Sequence, residues 1–270
     1  MAGRTAVVTG ASSGIGRAIA EVLGANGAHV VLGGRTETAL AASVERIRAS
    51  GGSAEARSGD IRRVEEVQAL VDRAVESTGR LDIMVNNAGI SYPEPILDAD
   101  PEHWRTMLET NVLALLVGCQ AAVRAMRACG AEGVIVNISS VAALAQGGTV
   151  YGATKHAVNS ISETLRCELF DDRISVVTVM PGAVATSFAR NYDPAIIGAM
   201  AQSAGMDSGI VGLAPGERLP DELLAKAQEA MSELLCTPEQ IAEAVLWAAT
   251  RERGAHVTEL VVRPKRDLHV

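Results

Sequence analysis

Short apolar runs alternate along the chain with longer stretches whose apolar residues recur every three or four positions. Thr5–Thr9 is an apolar run that ends at a glycine, and Ile15, Ile19, Val22 and Leu23 after it form one helical stripe. Ala28–Leu32 predicts a second strand and Glu37–Ser50 a second helix. Ser53–Ser58 is a weaker third strand, followed by a helix on Val64, Val67, Val71 and Val75. Leu81–Val85 predicts a fourth strand, Pro101–Ala128 one long helix and Val134–Ile138 a fifth strand. Tyr151–Phe170 then predicts a helix and Ile174–Val179 a sixth strand. After Pro181 the alternation breaks for about fifty residues, longer than ordinary connections run. A helix on Ile241, Ala244, Val245 and Ala248 and a strand at Leu260–Val262 close the series. The order predicts an α/β fold, a doubly wound parallel sheet of seven strands with helices on both faces, in one domain over residues 1–270. Such sheets bind ligands beyond the carboxyl ends of their strands.

Composition narrows the picture. Only 3% of residues are aromatic while 48% are hydrophobic, so the core is built from Ala, Val, Leu and Ile, as suits parallel strands buried on both faces. A formal charge of −8 without a basic run argues against a nucleic-acid partner. Cys119, Cys129, Cys167 and Cys236 stand far apart and outside any CxxC, and His29, His103, His156, His256 and His269 are scattered. Neither set has the spacing of a metal site or a disulfide framework, so no metal is expected and a reducing compartment is. The N-terminus runs straight into the first strand, and no segment reads as the roughly 18 apolar residues of a membrane span. The expectation is a soluble, cytoplasmic protein with no membrane partner.

Candidate chemistry begins at the first turn, Thr9-Gly10-Ala11-Ser12-Ser13-Gly14-Ile15-Gly16. Glycines here let the backbone turn tightly and approach a pyrophosphate, and the helix N-terminus adds free N–H groups and a positive dipole. The spacing is GxxxGxG and misses the strict GxGxxG pattern, so by itself the turn also fits a structural role. NAD-binding sheets place an acid at the end of the second strand. Here that strand leads into Gly33-Gly34-Arg35, where a guanidinium suits a 2′-phosphate; NADP(H) is expected over NAD(H). Arg17 could add charge or simply face solvent.

Tyr151 and Lys155 stand four apart, on one face of the helix after strand five. An ammonium near a phenol favours the phenolate, which would make the tyrosine a proton exchanger for hydride transfer at a carbonyl. On spacing alone the pair also fits an ordinary helix surface. Ser139 and Ser140 close the fifth strand, where a hydroxyl could orient a carbonyl oxygen or merely form a turn.

Together these pieces resemble the short-chain dehydrogenase/reductase family in its single-domain, Rossmann-type form. The matching residues are the Thr9–Gly16 turn, Asp60, Asn86-Asn87-Ala88-Gly89, Asn111, Ser140, Tyr151 with Lys155, and Pro181-Gly182 with Thr186, in family order. The resemblance implies that Tyr151 exchanges the proton, that Lys155 lowers its pKa and holds the nicotinamide ribose, and that Ser140 steadies the substrate oxygen. It implies that Asn111 kinks its helix and supports a water-linked proton relay to Lys155. Gly10, Ser12, Ser13, Gly14, Ile15 and Gly16 would hold the pyrophosphate, Arg35 the 2′-phosphate, and Asp60 and Ile61 the adenine. Asn87, Ala88 and Gly89 would shape the cofactor pocket, and Pro181, Gly182, Val184 and Thr186 would face the nicotinamide amide and pyrophosphate. A homodimer or homotetramer through the long helices after strands four and five is implied as well.

One feature departs from the family: the interval from Ser140 to Tyr151 is short. Either the loop Val141–Val150 is trimmed or Ser139 takes the catalytic place. Trimming a loop that contains Gly147 and Gly148 costs little, whereas moving a strand-end residue by one flips its side chain, so Ser140 is favoured. The segment 183–236 corresponds to the family's substrate lid. Gly205–Gly216 reads as a mobile loop, and Leu223, Leu224, Ala227, Ala230, Met231, Leu234 and Leu235 as an amphipathic helix that either packs down or covers the pocket. Arg190, Asn191 and Tyr192 stand where a polar or anionic substrate could meet them. The leading expectation is NADPH-dependent reduction of a small ketone or aldehyde. The alternatives are alcohol oxidation by the same residues and a non-catalytic NADP(H)-binding module, against which the intact set of Asn111, Ser140, Tyr151 and Lys155 speaks.

Overall fold

A computed structural model describes residues 1–145, 149–192, 198, 202, 220–251 and 256–266. Its strands are β1 (Thr5–Thr9), β2 (His29–Gly34), β3 (Ser53–Ser58), β4 (Ile83–Asn86), β5 (Val134–Ile138), β6 (Ser175–Pro181) and β7 (Glu259–Val262). They form one seven-stranded sheet in the order β3-β2-β1-β4-β5-β6-β7, with every pairing parallel. Because β1 pairs with β2 on one side and β4 on the other, the chain order reverses there, and a crevice opens beyond the ends of β1 and β4.

The helices are α1 (Gly14–Ala25), α2 (Glu37–Ala49), α3 (Val64–Thr78), α4 (Pro101–Leu108), α5 (Ala114–Cys129), α6 (Val150–Glu168), α7 (Asp221–Ala230) and α8 (Pro238–Ala249). Strand side chains alternate between two apolar layers. Ala6, Val8, Ile83, Val85, Val177 and Val179 pack with α1, α2 and α8. Val7, Met84, Ile135 and Val176 face α3, α5 and α6 instead. With both faces covered, the central strands are apolar throughout, as the sequence shows.

Two differences from the sequence pattern matter for the site. The stretch Pro101–Ala128 is not one helix: a π-helical turn, Glu109–Leu113, joins α4 to α5. The extra residue in that turn rotates Asn111 inward, where it is 1% exposed. The same stretch corrects a second expectation, since Pro101–Cys129 is long and apolar enough to cross a membrane, with a mean hydropathy of 1.5. Its apolar residues have a partner in the fold: Leu115, Cys119, Val123 and Met126 are buried with the sheet. Further along, the amphipathic stretch at Leu223–Leu235 splits into α7 and a 3₁₀ turn, Ser232–Leu234. Leu224, Ala227, Met231 and Leu234 form a small apolar cluster of their own, against Ala189 and Tyr192. A parallel bridge between Val184 and Cys236 ties the start of this segment to its end. Gly205–Gly216 and the side chains of Arg190 and Asn191 lie outside the described residues.

Candidate active site

At the β1–α1 turn, glycine is required by geometry. Gly10 and Gly14 have φ of +68° and +55°, the left-handed region that side chains avoid. A Cβ on Gly16 would stand 2.4 Å from both the Gly10 carbonyl oxygen and Asn87 Nδ2. The Ser13 side chain makes no capping bond to α1, which leaves the helix's first N–H groups open to an anion. Ser12 lies against Gly34 at the end of β2, and Ile15 packs on the core below.

The end of β4 is bonded onto the same turn. Thr9 Oγ1 accepts from the backbone N–H groups of Asn87 (3.0 Å) and Ala88 (3.1 Å) and donates to the Val85 carbonyl. Asn87 Nδ2 donates to the Thr9 carbonyl at 2.8 Å. Thr186, which caps the 3₁₀ turn Ser187–Asn191, has its methyl group where a Cβ on Gly14 would be 3.1 Å away. Gly182 donates to the Val262 carbonyl, which fixes the segment after Pro181 to β7, and Val184 is held by its bridge to Cys236. Ile61 lines a small cleft with Thr9, Ala88, Thr110 and Leu115. Arg35 is exposed just past β2. Hydrogen bonds from Arg62 hold the Asp60 carboxyl below its ordinary range, and the charge of Arg35 adds to the effect. Uncapped N–H groups, a cradle that a single Cβ would fill and an exposed guanidinium together fit a phosphorylated dinucleotide.

The side chains singled out by the sequence for catalysis meet at the ends of β4 and β5. Asn111 pairs its side-chain amide with the backbone of Ile90, Oδ1 accepting at 2.8 Å and Nδ2 donating at 2.9 Å, and Nδ2 also donates to Thr154 Oγ1. Gly89 is thereby set so close that an added Cβ would be 3.4 Å from Asn111 Oδ1 and 3.7 Å from Lys155 Nζ. Lys155 is 4% exposed; its ammonium donates to the Ile138 carbonyl at 2.8 Å and stands 5.7 Å from the centre of the Tyr151 ring.

The two serines divide cleanly. Ser139 Oγ donates to the Lys155 carbonyl, and its N–H to Val179, so it belongs to the framework. The Ser140 hydroxyl lies near the Tyr151 phenol and caps the 3₁₀ turn Val141–Ala143 by accepting from Ala142 N–H. The trimmed loop is accommodated after Ser140, where His156 holds the Ala145 carbonyl, while residues 146–148 lie outside the described set.

The titration of Tyr151 differs from the expectation. Burial pushes the phenol well above its ordinary value, the nearby Tyr192 phenol pushes the same way, and the nearby Ser140 hydroxyl pulls back. The Lys155 ammonium is directed to the Ile138 carbonyl, and burial brings Lys155 itself down to about 8. The arrangement therefore keeps a neutral phenol, a proton donor, beside a lysine whose charge is costly. Thr154, which bonds Asn111, escaped the sequence reading because a threonine in a helix gives no signal of its partner. So did Ser91 and Phe188.

Residues 4–196 match the model of the short chain dehydrogenase family. An uncharacterized oxidoreductase of Methylorubrum extorquens is 43% identical over 187 residues, which cover 68% of this chain and 74% of that one. Among solved structures, an alcohol dehydrogenase of Thermococcus sibiricus complexed with 5-hydroxy-NADP is similar at a TM-score of 0.76 and 25% identity, covering 97% of each chain. A variant of actinorhodin polyketide ketoreductase with NADPH gives a TM-score of 0.77 and 29% identity, covering 97% of this chain and 96% of the other. Matched over more than two thirds of its length and carrying the family's glycine turn and Tyr-x-x-x-Lys helix at one crevice, the chain belongs to the short chain dehydrogenase family and is an oxidoreductase.

Proposed function

We propose that the chain reduces a small-molecule ketone or aldehyde with NADPH. The observation that carries this reading is Tyr151 and Lys155 on one helix at the end of β5, the Lys155 ammonium 5.7 Å from the centre of the Tyr151 ring, beside the glycine turn. When bound, the reduced nicotinamide supplies the hydride. Ser140 orients the carbonyl oxygen, and Tyr151, held neutral by burial, donates the proton to that oxygen as negative charge develops on it. Lys155 would stabilise the phenolate left behind and would hold a ribose hydroxyl of the cofactor, while Asn111 keeps the Gly89–Ile90 segment in place and would support proton return to Lys155.

Preference for NADP(H) over NAD(H) rests on the end of β2, where Gly33 and Gly34 offer no carboxylate and Arg35 stands exposed. The bound NADP-type ligands of the two solved relatives support it. Asp60 and Ile61 are assigned to the adenine, and Pro181, Gly182, Val184 and Thr186 to the nicotinamide side. A single-domain, cytoplasmic homodimer or homotetramer completes the reading.

The test is initial-rate oxidation of NADPH and NADH over a carbonyl panel, with Tyr151→Phe beside the wild type. NADPH-driven turnover should fall by roughly 10²–10⁴-fold in the variant, the usual share of a positioned acid. Tight NADPH binding with no turnover on any carbonyl would favour the binding-module reading. Faster turnover with NADH would overturn the role given to Arg35.

A further inference from the structure

The cleft holds a second group of hydroxyls that the proton transfer does not use. The Phe188 ring touches two phenols, with its centre 5.6 Å from that of Tyr151 and 6.5 Å from that of Tyr192. Phe188 is itself fixed, since its N–H donates to Thr186 Oγ1. Ser91, two residues beyond Gly89, is 1% exposed, and its hydroxyl oxygen has no hydrogen-bond partner among the described residues. A buried hydroxyl left unpartnered is costly, so such a group calls for a ligand or a function. The Tyr192 phenol stands beside it: burial raises the phenol's pKa and the Ser91 hydroxyl draws it back. Tyr192 in turn raises Tyr151, and both phenol rings pack against Phe188.

We propose that Tyr192 and Ser91 bind a second, uncharged oxygen of the substrate, so that the preferred substrates are ketones or aldehydes carrying a keto, ester or hydroxyl oxygen a few atoms from the reacting carbonyl. The reacting oxygen goes to Tyr151 and Ser140, the carbon spacer lies along the Phe188 ring, and the second oxygen completes the hydrogen bonding of Ser91. An uncharged oxygen fits because two hydroxyls bring hydrogen bonds and no charge to offset a desolvated carboxylate. The assignment rests on the reductase reading above and narrows it.

The test compares ethyl acetoacetate with methyl propyl ketone, each with NADPH. The wild type should show a kcat/KM about 10- to 100-fold higher for the keto ester, since a site that hydrogen-bonds an oxygen rejects the analogue lacking it. Tyr192→Phe and Ser91→Ala should each remove most of that ratio, and the use of two variants guards against one misfolding. A ratio near one in the wild type, or one that survives both substitutions, would overturn the proposal. So would a preference for acetoacetate anion over its ester. Failure of the reductase reading is separable, because binding is also measured without turnover. Titrating acetylacetone and methyl propyl ketone into the Tyr151→Phe chain with NADPH, followed by NADPH fluorescence, should show about tenfold tighter binding of the diketone. Adding Tyr192→Phe should abolish the difference. Equal binding, or none of either compound, would sink the proposal whatever the rates.

Discussion

The two walls of the crevice are built differently. On the cofactor wall, backbone meets backbone: Gly16 fits against the Gly10 carbonyl, and Thr9 takes the N–H groups of both Asn87 and Ala88. Little there can change without moving a strand. On the substrate wall, side chains do the work. Phe188, Tyr192 and the cluster of Leu224, Ala227, Met231 and Leu234 sit on short elements tied back by a bridge at Val184–Cys236 and a bond from Gln228 to Thr186. Residues on that wall can be exchanged with less damage to the sheet. On the proposed reading, main-chain geometry holds the cofactor and replaceable side chains choose the substrate.

Ser139 and Ser140 bring the contrast down to neighbouring residues. Ser139 belongs to the framework through its bonds to Lys155 and Val179, whereas Ser140 faces Tyr151. Ser140→Ala should lower kcat by about 10²-fold or more, as loss of a donor to the developing oxyanion does, with NADPH affinity little changed. Ser139→Ala should cost stability of about 1 kcal/mol and only a few-fold in rate. Reversed results, with the rate lost in Ser139→Ala, would place the framework and the chemistry the other way round.

Legibility in the sequence follows the same division. The strands of the sheet could be located because parallel strands buried on both faces are continuous apolar runs, and even the weak Ser53–Ser58 strand pairs with β2 as the alternation requires. Strand and helix ends moved by one or two residues. The helix at Pro101 was drawn too long because an inserted π turn leaves the apolar spacing almost unchanged while rotating Asn111 inward. Tyr151, Lys155 and the glycines stood out through spacing and resemblance, yet the direction of the Tyr151 shift did not. It depends on burial and on where the Lys155 ammonium points, and neither is written in a Tyr-x-x-x-Lys spacing. Tyr151 and Phe188 lie far apart in sequence and their rings meet only in the fold, so no local pattern could have joined them.

Gly16 tests how rigid the cofactor wall is. Gly16→Ala forces either the Gly10 carbonyl or the Asn87 amide to move, because each stands 2.4 Å from the new carbon. Overpacking of this kind costs about 1–3 kcal/mol, or roughly 3–10 °C in melting temperature for a chain of this size. NADPH affinity should fall by about tenfold, since the displaced atoms border the pyrophosphate cradle. A folded variant that binds NADPH as the wild type does would show that this wall yields more than its geometry suggests.

The smallest effect is expected where the two walls touch. Gln228 on α7 donates to the Thr186 carbonyl at 2.6 Å, so a helix of the substrate wall is bonded to the segment that rests against Gly14. Gln228→Ala removes a single neutral hydrogen bond, worth about 1 kcal/mol, or roughly fivefold in an equilibrium. If α7 is a lid whose seating is coupled to the cofactor, that fivefold should appear in the NADPH dissociation constant as well as in substrate KM. If α7 only packs against the cleft, NADPH affinity should stay put and the loss should show as reduced melting temperature alone. Measuring both constants on one variant therefore separates a helix that merely packs from one that senses what the cofactor wall holds.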